Sequence, residues 1–265
     1  MRFLFIGDVV GSPGLAILKS AVPYLRASEK LDFVVVNGEN STNGSGLSPR
    51  DYRHIRSASV DAITLGDHIY KKYEVTDVMR SGTEPICKPA NFPVASPGRD
   101  HVRLTINGVN IAVISLLGRT YMRPVDCPFA AADRVLAELA GWAKVIMVDI
   151  HAEATADKYL IGHHLKGRVS AVLGTHTHIQ TADEHIMTGG TAFVCDVGMT
   201  GPYASILGRK VERVLATTLS FVPTSFDVAT DDIRLAGAIV DVDAATGKAT
   251  AVKRVMLREA DIPKM

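Results

Sequence analysis

The stretch MRFLFIGDVVGSPG, residues 1–14, decides how the rest of the chain is read. Residues 2–7 form an apolar run of the kind found in strands buried on both faces. The run closes on a carboxylate, Asp8, and the glycines beyond it allow a tight strand-to-helix turn. Ser12-Pro13 then reads as an N-cap followed by proline at the first helical position, opening a helix to about residue 27. The pattern recurs. LDFVVVNG ends on Glu39-Asn40, VDAITLG on Asp67-His68, WAKVIMVDI on His151, and VSAVLG is followed by His176-x-His178. Five strands are thus expected to point their C-terminal ends, each carrying a carboxylate, amide or imidazole, at one place. In open α/β sheets that edge binds ligands, and carboxylates with three histidines there make a metal site the leading expectation.

Outward from these runs, strand and helix signals alternate for two-thirds of the chain. Strands are expected over 32–37, 60–65, 144–150 and 169–173, and helices from Ser48-Pro49, over 129–141 and around 154–166. Residues 81–100, with several prolines and glycines, read as loop with one short strand. Runs 101–106 and 109–116 flank Asn107-Gly108, a type I′ hairpin signal. Later, residues 191–198, 214–223, 233–243 and 249–259 all read as strands without helices between them, the last pair joined around Thr246-Gly247-Lys248. No linker or repeat divides the chain, so one α/β domain with two sheets, residues 1–265, is expected.

Composition narrows the function. A chain of 265 residues that is 47% hydrophobic buries a sizeable core. With 29 basic and 28 acidic residues there is no whole-protein field to attract nucleic acid or a membrane surface. A metal centre can still supply positive charge locally for a nucleotide. Cys87, Cys127 and Cys195 are widely spaced and form no CxxC pair, which points to reduced, buried thiols in a cytoplasmic protein. No run approaches the roughly 20 apolar residues of a membrane span, and the first apolar stretch is too short for a signal region.

A mononuclear site needs three or four donors, and this chain offers seven: Asp8, Glu39, Asn40, Asp67, His151, His176 and His178. The surplus argues for two metals, with Glu39 as the bridging carboxylate. Two metals roughly 3.5–4 Å apart clamp the oxygens of a phosphoryl transfer and generate hydroxide near neutral pH. His68, directly after a candidate ligand, belongs at the rim, where it can protonate a leaving alkoxide. A lone Asp or His at a strand end is more often a cap or loop residue, but five such ends in one chain are not explained that way. The His-x-His pair is read as alternate residues on one strand face. His54, His101, His163, His164 and His185 are assigned to the surface or periphery. Arg119 is read either as a phosphate contact or as a salt-bridge partner.

These residues resemble the calcineurin-like metallophosphoesterase superfamily, whose motifs appear in order as Gly7-Asp8, Gly38-Glu39-Asn40, Gly66-Asp67-His68, His151 and Gly174-Thr175-His176-Thr177-His178. IGDVVGSPG, VVNGENS, GTHTHIQTADE and DVGMTGP are similar to its YmdB-type bacterial phosphodiesterase branch, over nearly the whole chain. The resemblance implies a two-sheet α/β/β/α sandwich. It implies one ion on Asp8, Glu39, Asn40 and His178, a second on Glu39, Asp67, His151 and His176, and His68 as proton donor. It also implies iron or manganese as cofactor and cyclic nucleotides, 2′,3′-cyclic forms included, as substrates. Two departures stand out. The superfamily's Asp-x-His opening is here Asp8-Val9-Val10, with Asn40 in place of the missing imidazole. Asp67 stands where the family pattern has asparagine; its extra charge should tighten cation binding and weaken attraction for an anionic phosphate.

The expected activity is therefore two-metal hydrolysis of small phosphate diesters. A phosphomonoesterase or nuclease using the same site, and a nucleotide-binding regulatory protein with little turnover, are the alternatives. No stable nucleic-acid or membrane partner is expected, while the apolar loops 117–130 and 199–207 are compatible equally with homo-oligomer contacts and with loops covering a pocket.

Overall fold

A computed structural model describes residues 1–263; positions 264 and 265 of the expected domain lie outside the described residues. The opening run forms strand β1 (Arg2–Ile6) and leads into helix α1 (Gly11–Glu29). Val10, in extended conformation, precedes the helix, so Ser12 is not the cap. Pro13 lies in the first turn, where its missing N–H has no intrahelical partner to lose. In chain order there follow β2 (Phe33–Asn37), α2 (Pro49–Ser57), β3 (Ala62–Thr64), α3 (Val75–Arg80), β4 (Ile86–Cys87), β5 (His101–Ile106) and β6 (Val109–Leu117). Then come α4 (Pro128–Leu139), β7 (Val145–His151), α5 (Thr155–Leu165), β8 (Ala171–Thr175), β9 (His185–Met187), β10 (Thr191–Val194), β11 (Gly201–Pro202), α6 (Val211–Ser220), β12 (Ile233–Val242) and β13 (Ala249–Arg258). Ser48 caps α2 as expected, its side chain accepting from Asp51 N at 3.2 Å. Asn107 and Gly108 hold the positive φ values, 52° and 77°, that a type I′ turn demands.

The strands form two sheets. One runs β11-β12-β1-β2-β3-β4 with β13 on the outer side of β12; the other runs β5-β6-β7-β8-β10-β9. Strands β1 to β4 are mutually parallel, as are β6, β7, β8 and β10. The sheets face one another across a layer that includes Phe3, Phe5, Phe33, Val113, Met147 and Leu173. Their outer faces are covered by α1 and α2 on one side and by α4 and α5 on the other. This is the α/β/β/α sandwich that the resemblance implied, and it explains why the central strands read as unbroken apolar runs: both faces are buried.

One expected strand is a helix. Residues 214–223 carry β-branched side chains, but Val211, Val214, Leu215 and Leu219 recur at helical spacing, and α6 covers most of the run. None of its residues is buried, and Leu219 and Phe221 are 80% and 90% exposed. In the loop 199–207, Met199, Gly201 and Pro202 are buried while Leu207 is exposed. No helix among the described residues is long and apolar enough to cross a membrane.

Candidate metal centre

The C-terminal ends of β1, β2 and β3 in one sheet meet those of β7 and β8 in the other. A buried polar cluster joins them. Asp149 of β7 accepts from Asn37 Nδ2 at 3.0 Å, Thr64 Oγ1 at 2.6 Å and Thr175 Oγ1 at 2.7 Å. Burial pushes its carboxyl up to about 6.

Glu39, Asp67, His151 and His176 offer one donor atom each, all within 4.8 Å of one another. His151 Nε2 lies 3.0 Å from Glu39 Oε1, 3.2 Å from Asp67 Oδ1 and 3.0 Å from His176 Nδ1. Beside this group, Asn40 Nδ2 lies 3.4 Å from Glu39 Oε1, 3.5 Å from Asp8 Oδ1 and 3.2 Å from His178 Nε2. All seven expected residues therefore come together, with Glu39 Oε1 common to both clusters; Asn40 turns its amide nitrogen to the second cluster, and its oxygen, the atom able to ligate a cation, faces His68 Nδ1. His68 Nδ1 sits 2.8 Å from Asn40 Oδ1, and its Nε2 is 3.7 Å from Asp67 Oδ2.

Each candidate histidine is oriented by its other nitrogen. Thr175 gives its hydroxyl proton to Asp149, so it accepts from His151 Nδ1–H at 2.9 Å and leaves Nε2 facing the carboxylates. His176 Nε2 donates toward Glu153 Oε2 at 3.1 Å, and His178 Nδ1 toward the Leu207 carbonyl at 3.1 Å. Burial alone would lower the His151 pKa, yet Glu39, Asp67 and Asp8 outweigh it and hold it well above the usual histidine value. Burial and the neighbouring His151 push His176 down. Burial opposes the charge on Asp8, but His178, His151 and the His176 N–H hold its pKa below the usual carboxylate value. Three carboxylates thus concentrate on one point without a lysine or arginine ion pair among the described residues. Such a buried oxygen and imidazole set fits hard or borderline divalent cations.

The His-x-His reading needs correction. Strand β8 ends at Thr175, and both imidazoles lie beyond it on left-handed backbone, φ 96° at His176 and 64° at His178. Backbone curvature, not strand alternation, aims them. Arg119 is exposed and borders a separate small cavity with Phe129 and Asp157, where its backbone N–H donates to Asp157 Oδ2 at 2.8 Å; its guanidinium makes no ion pair among the described residues. The five remaining histidines lie outside the cleft.

A cleft of about 270 Å³ opens over the donors, lined by Asn40, His68, His176, Thr177 and His178 and also by Gly44, Glu153, Leu207 and Arg209. Glu153 and Arg209 were not legible as site residues, whereas Leu207 lies in the 199–207 loop, for which covering a pocket was one of two readings. Arg209 reaches the cleft from a distant segment, bonding the carbonyls of Asn43, Gly44 and Phe226. Asp149 did carry a signal, a lone carboxylate inside an apolar strand two residues before His151.

The fold and this donor set define a hydrolase of the metallophosphoesterase type. The chain belongs to the family of YmdB-like proteins, whose family model matches residues 4–255. It is 43% identical to a Bacillus subtilis (strain 168) protein named 2′,3′-cyclic-nucleotide 2′-phosphodiesterase, over 98% of each chain. A crystal structure of a hypothetical protein from Thermus thermophilus superposes with a TM-score of 0.91 at 39% identity, covering 97% of this chain and 99% of that one. A crystal structure described as a novel phosphatase from Mycoplasma pneumoniae also reaches 0.91, at 29% identity, covering 97% and 93%.

Proposed function

We propose that this chain is a two-cation phosphodiesterase that hydrolyses small phosphate diesters, cyclic nucleotides including 2′,3′-cyclic forms among them. Asp8, Glu39, Asn40 and His178 would hold one cation, and Glu39, Asp67, His151 and His176 the other. Bound cations would offset the phosphate charge and activate water. Iron or manganese suits this mixture of carboxylate, amide and imidazole donors. The observation that carries the reading is the placement of His68 on the cleft wall beside both clusters, with Nδ1 held at 2.8 Å by Asn40. In its protonated form His68 gives one proton to Asn40 Oδ1 and presents the other, on Nε2, to a leaving oxygen.

The test is His68→Ala in manganese- or iron-loaded protein, assayed on bis-p-nitrophenyl phosphate, the mono-ester and a panel of cyclic nucleotides. Both cations stay bound and diesterase turnover falls by about 10²- to 10⁴-fold; unchanged turnover refutes the role. A preference for the mono-ester would favour a phosphomonoesterase, and nucleotide binding without turnover a regulatory protein.

The same reading takes residues 1–265 as one catalytic domain, since both sheets contribute to one donor set. A cytoplasmic location is supported by three unpaired cysteines. Self-association is supported by exposed Leu215, Leu219, Phe221 and Val222, and light scattering on the purified protein checks it. The near-neutral charge supports a small-molecule partner over a polynucleotide.

A further inference from the structure

The left-handed backbone at His176 and His178 is costly for residues other than glycine, and it persists only where surrounding structure imposes it. What imposes it lies directly beneath. Asp196, just past β10, accepts three bonds at Oδ2: from Thr177 N at 3.1 Å, from the Thr177 hydroxyl at 2.6 Å and from Lys158 Nζ at 2.7 Å. Its Oδ1 accepts from Gly198 N at 2.8 Å. Lys158 of α5 and Asp196 are both fully buried. Neither lines the cleft, and neither belongs to the donor clusters.

A buried ion pair is often no more stabilising than apolar packing of the same volume, so stability alone is a weak reason for this one. Its connections supply a better reason. The carboxylate accepts from both hydrogen-bond donors of the residue between the two histidines. Gly174 makes room for this: a Cβ there would run into the Cys195 carbonyl oxygen and lie 2.9 Å from Lys158 Cδ. The absence of a side chain therefore lets the lysine stem and the backbone leading to Asp196 pass close under the turn.

We propose that Lys158 and Asp196 are a positioning pair. Acting through Thr177, they hold the 176–178 turn in the conformation that aims His176 at one cation site and His178 at the other. One buried carboxylate thereby sets a candidate ligand of each site. The inference rests on the two-cation reading and adds a residue set to it.

The experiment is calorimetric manganese titration of the full chain and of Thr177→Val, Thr177→Ser and Asp196→Asn, with thermal melting of each cation-free protein. Thr177→Val keeps the branched shape but loses the hydroxyl bond to Asp196. Its manganese affinity falls about 10- to 100-fold, the range for groups that orient metal ligands, and Thr177→Ser restores it. Asp196→Asn loses at least as much. Should that variant not fold, the Thr177 pair decides alone. Wild-type protein binding two manganese ions, with Thr177→Val binding them equally tightly, overturns the positioning role and leaves the two-cation reading standing. So does a lowered melting temperature with unchanged affinity, which marks a purely structural pair. Wild-type protein that binds no manganese overturns the two-cation reading and the positioning role with it.

Discussion

Replacing Gly66 by alanine adds one methyl group at the point where β3 delivers Asp67. The backbone itself accepts the change, because Gly66 is not among the residues with positive φ. The space does not. The new Cβ would lie 2.5 Å from His151 Cγ and closer still to Glu39 Oε2, where ordinary contact begins near 3.4 Å. One or both groups must move by about 1 Å, and neither is free to do so. His151 and Glu39 are fully buried; Thr175 holds the imidazole, and Glu39 Oε2 accepts the His68 N–H at 3.0 Å. Overpacking of this size costs about 1–3 kcal/mol of folding stability, a melting shift of several degrees in a chain of this length. The effect on cations is larger, because donor distances tolerate only about 0.2 Å. Manganese affinity should fall by at least about 100-fold, beyond the range for orienting groups. Calorimetric titration measures the affinity, and thermal unfolding without cation measures the packing cost. Affinity within twofold of wild type would refute the reasoning, since it would mean that Glu39 and His151 are not held where the geometry puts them.

Three further outcomes are expected. Burial works against the charge on Asp67, but His151, His68 and His176 hold its carboxyl well below the usual range; Asp67→Asn should therefore weaken manganese binding in a titration while lowering KM for an anionic diester. Burial pushes the Cys195 thiol up to about 11 and Cys87 higher still, so alkylation of folded protein near pH 8 should label Cys127 first, as peptide mass spectrometry will show. At Asp51, burial is outweighed by bonds from Arg50 and Thr42, which hold the folded pKa below 3.8. Its ionised form then favours the folded state above that value, and the contribution is lost as the pH falls through the folded pKa. Asp51→Asn should flatten the acid limb of melting temperature against pH, and an unaltered limb would argue against it.

Much of this protein is local information. An apolar run closing on a polar group encodes a buried strand and its exit, and both can be read without knowing what packs against it. The seven candidate donors and His68 were legible as groups at strand ends for that reason, as were the Ser48 cap and the Asn107-Gly108 turn. Where two local signals compete, the reading fails, as at 214–223, where β-branched residues carry a helical spacing. The His-x-His turn fails differently, because backbone curvature at 176 and 178 is imposed from below by Asp196, outside any local pattern.

By itself, the sequence determined which chemical groups stand at the strand ends and in what order. Only the tertiary structure decided that three ends from one sheet meet two from the other. It also decided that Asp149 and Thr175 present His151 through Nε2 and that Arg209 and Glu153 line the cleft. The physical reason is separation. Asn37 meets Asp149 across 112 residues, and Arg209 meets Asn43 across 166, distances over which spacing carries no phase and packing alone sets the contact.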